Sequence, residues 1–188
     1  MEQQTVRKTF KYKLRPTPEQ ERELGRVLGL CRDLYNAALE RRIIAYRRAG
    51  VSLSRYTQEA ELKDLRAAIP QYAAIHSHVL QDVLAQLDKT YQAFFRRVKA
   101  GEKAGFPHFQ GRDRWRSFTY KEFGNGATLD DGFLVLSKIG RVASRCSRLL
   151  EGTPKTVTIS KEADGWYVTV PCAVVAAITM SASRAPMC

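Results

Sequence analysis

Arginines and aromatic rings are interleaved in one short block of the sequence, residues 105–120 (GFPHFQGRDRWRSFTY). Guanidinium groups offer planar donor forks for phosphate, and flat rings offer faces on which bases can stack. This mixture favours a nucleic-acid partner over a small-molecule pocket; the alternative is a surface turn followed by an amphipathic strand. The predicted nucleic-acid-binding residues lie in and around the block: Arg96, Arg97, Lys99, Lys103, Phe109, Arg112, Arg114, Trp115, Arg116, Phe118, Tyr120 and Lys121.

The positive charge of the chain is concentrated around this block. The 188 residues include 31 Lys or Arg and 19 Asp or Glu, a formal net charge of +12. Residues 96–161 carry 14 basic and 6 acidic groups, so most of the excess lies in about a third of the chain. Such a footprint predicts salt-sensitive phosphate binding. We see no strongly basic amphipathic helix that would favour a membrane surface, so no membrane partner is expected.

No combination of residues in the sequence predicts catalysis or a metal site. His76 and His78 are two positions apart, so on a helix they diverge and cannot chelate one metal as an i, i+4 pair can. Asp130-Asp131-Gly132 is typical of a turn. The absence of any C-x-x-C pair excludes a zinc ribbon. The cysteines are widely spaced: Cys31, Cys146, Cys172 and Cys188. We therefore predict no catalytic residue, no metal and no cofactor, and we expect Cys31 in the core.

Targeting signals are also missing from the sequence. No apolar run approaches the length that spans a bilayer, and the N-terminus lacks the basic-then-apolar order of a secretory signal. We expect a cytoplasmic protein associated with nucleic acid.

The first half of the chain predicts one strand and three helices. Residues 5–14 alternate as a strand, with apolar side chains on one face. Thr17, Pro18 and Gln20 form the start of a helix that Gly50 ends. Two more helices are predicted, at about residues 54–68 and 77–100. The apolar stripe of the last helix is expected to be core: Leu80, Leu84, Leu87, Tyr91, Phe94, Phe95 and Val98.

The second half predicts short antiparallel strands. Strand-like runs cover residues 117–121, 133–137, 156–160 and 165–170, and the segments 124–126 (GNG), 130–132 (DDG) and 163–165 (ADG) are hairpin signals. The predicted fold class is α+β: a small antiparallel β-barrel, which the first strand joins, with a helical bundle inserted between barrel strands.

A series of segments, in this order, resembles the TnpB/OrfB family. These segments are 13–20 (KLRPTPEQ), 31–36 (CRDLYN), 84–95, 105–109 (GFPHF), 117–120 (SFTY), 138–140 (KIG), 155–159 (KTVTI) and 165–168 (GWYV). Members are transposon-encoded, RNA-guided DNA endonucleases. The resemblance implies a wedge domain that grips guide RNA, made of residues 1–15 and the barrel at 104–172. It implies a helical recognition lobe at 16–103, and it leaves 173–188 as an atypical tail.

The resemblance also implies partners and motif-reading residues. Guide RNA would pair with target DNA while the protein reads a short motif beside the target. The residues suited to that reading are Tyr56, Gln81 and Asn125, since Tyr and Gln can contact base edges. The alternatives are a solvated helix position for Gln81 and a turn residue with positive φ for Asn125.

The resemblance breaks at the nuclease. In the family a RuvC-like domain follows, with Mg²⁺ held by carboxylates and a zinc ribbon, but no Asp or Glu follows Asp164 here. We expect a truncated member that binds guide RNA, and DNA as a second partner, without cutting. One alternative is half of a split or frameshifted endonuclease with a separately encoded RuvC-like partner; another is a small DNA-binding repressor. The tail resembles an altered reading frame, or else a natural end that packs as a strand.

Overall fold

The computed structural model describes residues 4–145 and 148–176. Cys146, Cys188 and the tail beyond Ala176 lie outside the described residues. Helices and strands follow one another along the chain in the order β1 (Gln4–Arg15), α1 (Pro18–Ala49), α2 (Arg55–Ala60), α3 (Leu62–Ala68), α4 (Pro70–Ala73), α5 (Ser77–Lys99), β2 (Ser117–Tyr120), β3 (Ala127–Asp130), β4 (Phe133–Leu136), β5 (Gly140–Arg145), β6 (Thr153–Pro154), β7 (Val157–Glu162) and β8 (Gly165–Ala176).

Helix α1 has the predicted start and end. The Thr17 side chain accepts a hydrogen bond from the backbone N–H of Gln20, whose own side chain accepts from the Thr17 N–H. This capping box satisfies N–H groups that the first turn leaves unpaired. At the other end Gly50 adopts a φ of 64°, which a glycine tolerates without strain. Cys31 is fully buried in the middle of the helix, as predicted.

The second predicted helix is divided into two in the structure. Ser54 caps α2 through its hydroxyl, and the helix is interrupted at Glu61, whose carboxylate pairs with Arg41 of α1. Helix α3 then ends before Pro70, which holds Ile69 in an extended conformation and begins the short α4. The sequence did not predict α4.

The strands form one antiparallel sheet in the order β2-β7-β8-β1-β5-β4-β3, with β6 paired to β8. Strand β1 joins this sheet at its centre, as expected, pairing with β8 and then with β5. The sheet is open, because no pairing between described residues joins its edges β2 and β3. The predicted barrel is therefore not confirmed. Helices α1 and α5 pack against β2, at the edge where closure would require another strand.

The five helices lie in the chain between β1 and β2, and four of them (α1, α3, α4 and α5) contribute buried residues to one hydrophobic core with the sheet. Buried residues of α1 and α5 belong to the same cluster as buried residues of β2, β7 and β8. A separate helical bundle is not confirmed by this arrangement. The α+β class with an antiparallel sheet is confirmed, whereas the boundaries of a wedge domain and a recognition lobe stay predictions.

The turns between the strands match the sequence signals in part. Asp131 and Gly132 have positive φ and lie in the turn that joins β3 to β4. Gly165 also has positive φ, and it begins β8 directly after the turn from β7. The segment 124–126 joins β2 to β3, which pair with other strands, so it does not form a hairpin. The short strands β3, β5 and β6 were not predicted. Residues 173–176 continue β8 against the start of β1, so this part of the tail packs as a strand.

Helix α5 is only partly core, which corrects the predicted apolar stripe. Leu80, Leu84 and Leu87 are at most 1% exposed, but Phe95 is 54% and Val98 51% exposed. The helix has 23 residues, about 34 Å, and the strand β2 that it packs against has 4 residues, about 13 Å. The last turns therefore extend beyond the sheet. No helix among the described residues is long and apolar enough to span a bilayer.

Lowering the pH is expected to destabilise the fold through His76. Its ring caps α5 and lies 5.5 Å from that of Tyr120, and burial, followed by nearby positive charge, lowers its pKa. The unfolded chain, with a pKa of about 6.5, then binds more protons than the folded one, so stability falls as the pH drops below that value. When the pH is lowered from about 7.5 to about 5, the melting temperature of the wild type should therefore fall more than that of His76→Asn. This variant keeps a side chain that can cap the helix.

The matched control is His108→Asn, because His108 is exposed in the loop before β2. Its melting temperature should follow the wild-type pH dependence. An equal pH dependence of the melting temperature in the wild type and His76→Asn would contradict the assignment of this destabilisation to His76.

Candidate nucleic-acid interface

The loop between α5 and β2 is fixed to helix α1. The Asn36 side chain donates to the carbonyl of Gln110 (3.0 Å) and accepts from its N–H (2.8 Å). Five residues further on, the ring of Trp115 packs on Tyr35 of α1, with centroids 5.1 Å apart. Beyond Trp115 the chain enters β2, which pairs with β7. The loop therefore presents its exposed side chains from an ordered backbone.

Three arginines project from this loop into solvent. Arg112, Arg114 and Arg116 are all exposed, and no described carboxylate forms an ion pair with them. The Arg116 Nε donates to the carbonyl of Asp113 (2.7 Å), which orients the guanidinium but leaves its charge unbalanced. Unpaired guanidinium groups on a fixed backbone can bind phosphate oxygens without giving up an existing ion pair.

Three of the predicted stacking rings are buried, and this corrects their assigned role. Trp115, Phe118 and Tyr120 are 9%, 1% and 2% exposed. Phe118 and Tyr120 are two positions apart on β2, so both point from the same face into the core, and burial raises the pKa of the Tyr120 hydroxyl. They cannot offer free ring faces to bases. Phe109, 53% exposed, can do so.

A cleft of about 780 Å³ lies between α1, the loop and the β7–β8 turn. Two carboxylates also line it, Asp113 and Glu162, but Glu162 is bound by Lys11 at 2.6 Å. The cleft therefore carries an excess of positive charge. Its cationic side chains are Arg32, which pairs with Asp33 at 2.6 Å, and Arg112, Arg116 and Lys161, which have no described ion-pair partner.

The α1 wall of this cleft is unusually bare. Gly25 and Gly29 are one helical turn apart, and a Cβ at either would meet no atom within 4 Å. Trp115 also lines the cleft, but its Nε1 is buried and has no hydrogen-bond partner among the described residues.

The remaining predicted cations lie elsewhere. Lys121 is 3.8 Å from the Glu59 carboxylate, which balances part of its charge. Arg114 is exposed in the loop but does not line the cleft. The other four are exposed at or beyond the end of α5 and do not line the cleft: Arg96, Arg97, Lys99 and Lys103.

The predicted motif-reading residues lie on three different elements. Tyr56 on α2 is 71% exposed, Gln81 is partly exposed on α5, and Asn125 is exposed in the β2–β3 turn, donating to Glu122 at 3.3 Å. The Glu59–Lys121 contact connects α2 with the end of β2. Positive φ in this turn belongs to the two flanking glycines and not to Asn125, so that alternative is wrong. The reading of bases by these residues stays a prediction.

Sequence reasoning missed the cleft. Arg32 and Lys161 are distant in the chain from the arginine block and become neighbours of it only through the fold. One local signal could have pointed to the cleft, namely two glycines four residues apart inside a long helix. Glycine costs a helix about 1 kcal/mol relative to alanine, so such a pair needs a reason.

The N-terminal segment matches a known family. Residues 1–50 match a helix-turn-helix domain of the OrfB/IS605 type. In this structure the described part of that segment forms strand β1 and the single helix α1. Its geometry is thus a strand followed by one 32-residue helix, rather than two short helices joined by a turn.

Two relatives match most of the chain. One, from Escherichia coli strain K12, is named as an RNA-guided DNA endonuclease, InsQ, and is 31% identical over 172 residues, covering 86% of this chain and 39% of its own length. The other, from Streptomyces pristinaespiralis, also named as an RNA-guided DNA endonuclease, is 31% identical over 185 residues, covering 90% of this chain and 42% of its own. The chain thus spans about two fifths of the relatives it matches. It belongs to the TnpB/OrfB family of proteins encoded by transposable elements.

Proposed function

We propose that this chain binds a guide-type RNA through the cleft and the loop arginines, and that target DNA is a second partner held with the RNA. The observation that carries the proposal is the fixed loop. Its three exposed arginines have no described carboxylate partner, and two of them, Arg112 and Arg116, line a cleft with Gly25 and Gly29 on its α1 wall. The names of both relatives, which describe RNA-guided enzymes, support RNA as the primary ligand.

The contacts we infer are to the sugar-phosphate backbone. Guanidinium groups at the rim would take phosphate oxygens, and the bare surface at Gly25 and Gly29 would let the strand approach the helix closely. Such contacts give affinity without sequence preference, so any sequence reading belongs to Tyr56, Gln81 and Asn125.

We further propose that the chain does not cut nucleic acid by itself. RuvC-type cleavage depends on metal ions held by several carboxylates. The described residues do not fit this requirement, because no three of their His, Cys, Asp or Glu side chains are grouped to hold a metal ion. The Mg²⁺ and zinc chemistry of the family's nuclease would need ligands other than the described residues. We place the binding function in the cytoplasm.

Filling the α1 wall of the cleft should abolish RNA binding without unfolding the chain. Gly29→Glu introduces a good helix former into open space and places a negative charge beside Arg32, so we expect affinity for a structured RNA to fall at least about tenfold. Gly29→Ala is the matched control, and we expect it to bind RNA and to be about 0.5–1 kcal/mol more stable than the wild type. Fluorescence anisotropy and thermal melts measure both. Wild-type affinity in Gly29→Glu would remove the cleft from the proposal.

Removing loop charge should change the salt dependence of binding. Arg112→Ala combined with Arg114→Ala should weaken RNA binding. The slope of log K against log salt should become shallower by about 0.7 for each single-strand phosphate that the variant no longer neutralises. Lys63→Ala, a change at an exposed position on α3, should leave the slope unchanged. A slope unaffected by the double change would mean that these arginines do not contact phosphate.

The purified chain should not cleave DNA. When the chain is incubated with Mg²⁺, target DNA and the RNA that copurifies with the chain, we expect the DNA to remain intact on a denaturing gel. Reproducible cleavage that persists after repeated purification would contradict the proposal. If the chain binds duplex DNA with the same affinity before and after all RNA is removed, the result would instead support the alternative of a DNA-binding repressor.

A further inference from the structure

A second surface, an aromatic groove, lies at the far ends of α1 and α5. It has a volume of about 710 Å³ and includes the segment that follows α1. None of its lining residues lines the arginine cleft. The groove is defined here by five rings and one buried cation: Tyr46, Tyr91, Phe94, Phe95, Phe106 and Arg42.

Four of the five rings of the aromatic groove, all except Tyr46, form a connected cluster that remains open to solvent. Phe106 contacts Tyr91 and Phe94 edge to face, with centroids 5.8 and 5.4 Å apart, and Tyr91 stacks on Phe95 at 6.2 Å. Phe95 is 54% exposed, Phe106 44% and Tyr46 68%. Exposed rings in a cluster are costly in water unless they meet a flat or apolar partner.

Arg42 adds an unsatisfied donor to this groove. It is 8% exposed; its Nε donates to Gln58 (2.7 Å), its Nη1 to Asp88 (3.2 Å), and the guanidinium carbon lies 5.1 Å from the Tyr91 ring centroid. The Nη2 is buried with no hydrogen-bond partner among the described residues. A buried guanidinium N–H without an acceptor is expensive, so a ligand that supplies an oxygen or ring-nitrogen acceptor would be favoured.

Charge around the groove selects the class of ligand. Arg47 lines it, and Arg48 is the next residue of the last turn of α1. The last turn of α5 carries Arg96, Arg97 and Lys99, and no described carboxylate pairs with any of these five cations. An apolar peptide would not need this positive rim, whereas a ligand with flat faces and a phosphate backbone matches the rings and the cations together.

We propose that the aromatic groove binds unstacked nucleobases of a single-stranded RNA segment. The exposed rings stack on base faces, Arg42 donates to an acceptor on a base edge, and the cations at the two helix ends hold the flanking phosphates. This inference rests on the proposed RNA-binding function and adds a base-dependent site to the backbone-binding cleft.

The test uses the full chain and a 12-nucleotide oligouridine that carries one central 2-aminopurine, whose fluorescence falls when it stacks on a ring. The ring-removal variant combines Tyr46→Ser with Phe95→Ser, both at exposed positions. We expect wild type to quench the probe, and the variant to bind at least about fivefold more weakly with the quenching lost. Tyr46→Phe with Phe95→Tyr should restore both signals.

Two controls separate the groove from the cleft. Phe133→Ala removes an exposed ring on β4, outside the groove, and should leave quenching unchanged. An abasic probe of equal length should bind the wild type and the ring-removal variant alike, because only the base contacts differ. The Arg112→Ala, Arg114→Ala variant should weaken both probes by the same factor.

Wild-type quenching and affinity in the folded ring-removal variant would overturn the groove proposal and leave the proposed function intact. The groove proposal is also overturned if the wild type self-associates and the only effect of ring removal is to produce monomers, because the rings would then form a protein–protein interface. The proposed function stays intact in that case. If the wild type binds neither probe nor structured RNA, the proposed function and the groove both fail.

Discussion

The pairing of β1 with β8 is the constraint on which the rest of the structure depends. It joins the first described residues to the last along ten paired positions, from Gln4 with Ala176 to Lys13 with Tyr167. At Lys13 the strand also begins to pair with β5, so β1 connects both halves of the sheet. Everything between β1 and β8 in the chain therefore forms one closed loop, within which buried residues of α1 and α5 hold the helices to the sheet through the shared core.

The same strand determines where α1 points. Only Pro16 and the capping residue Thr17 separate β1 from α1, and two contacts hold the first turn to the sheet: Gln20 donates to the carbonyl of Arg141 (2.8 Å), and the Trp166 indole donates to Glu21 (3.3 Å). With its direction fixed, α1 presents its glycines to the cleft, Asn36 to the loop and its C-terminal end to the aromatic groove. One helix therefore positions both candidate surfaces.

Local chemistry was predictable from the sequence, and long-range pairing was not. The capping box at Thr17, the stop at Gly50 and the turn at Asp131-Gly132 depend on neighbouring residues and were found. The open sheet was missed because closure depends on which strands reach each other in space, and β2 and β3 do not pair. Of the site, the loop arginines were found by composition, but the cleft and the groove are made by residues far apart in the chain.

The errors over aromatic residues follow one physical rule. An aromatic side chain on a strand or helix is buried only where another helix or sheet packs over it. The spacing of apolar residues in the sequence does not show where that packing ends. Trp115 and Phe118 lie in an arginine-rich block and are covered by α1 and the sheet, whereas Phe95 continues a regular apolar stripe past the end of the sheet and is exposed. Buried rings next to unpaired arginines make the cleft rigid and charged, and exposed rings beside unpaired cations make the groove suited to flat ligands. The division of phosphate contacts and base contacts that we propose between two surfaces would thus follow from where α5 is covered and where it is exposed.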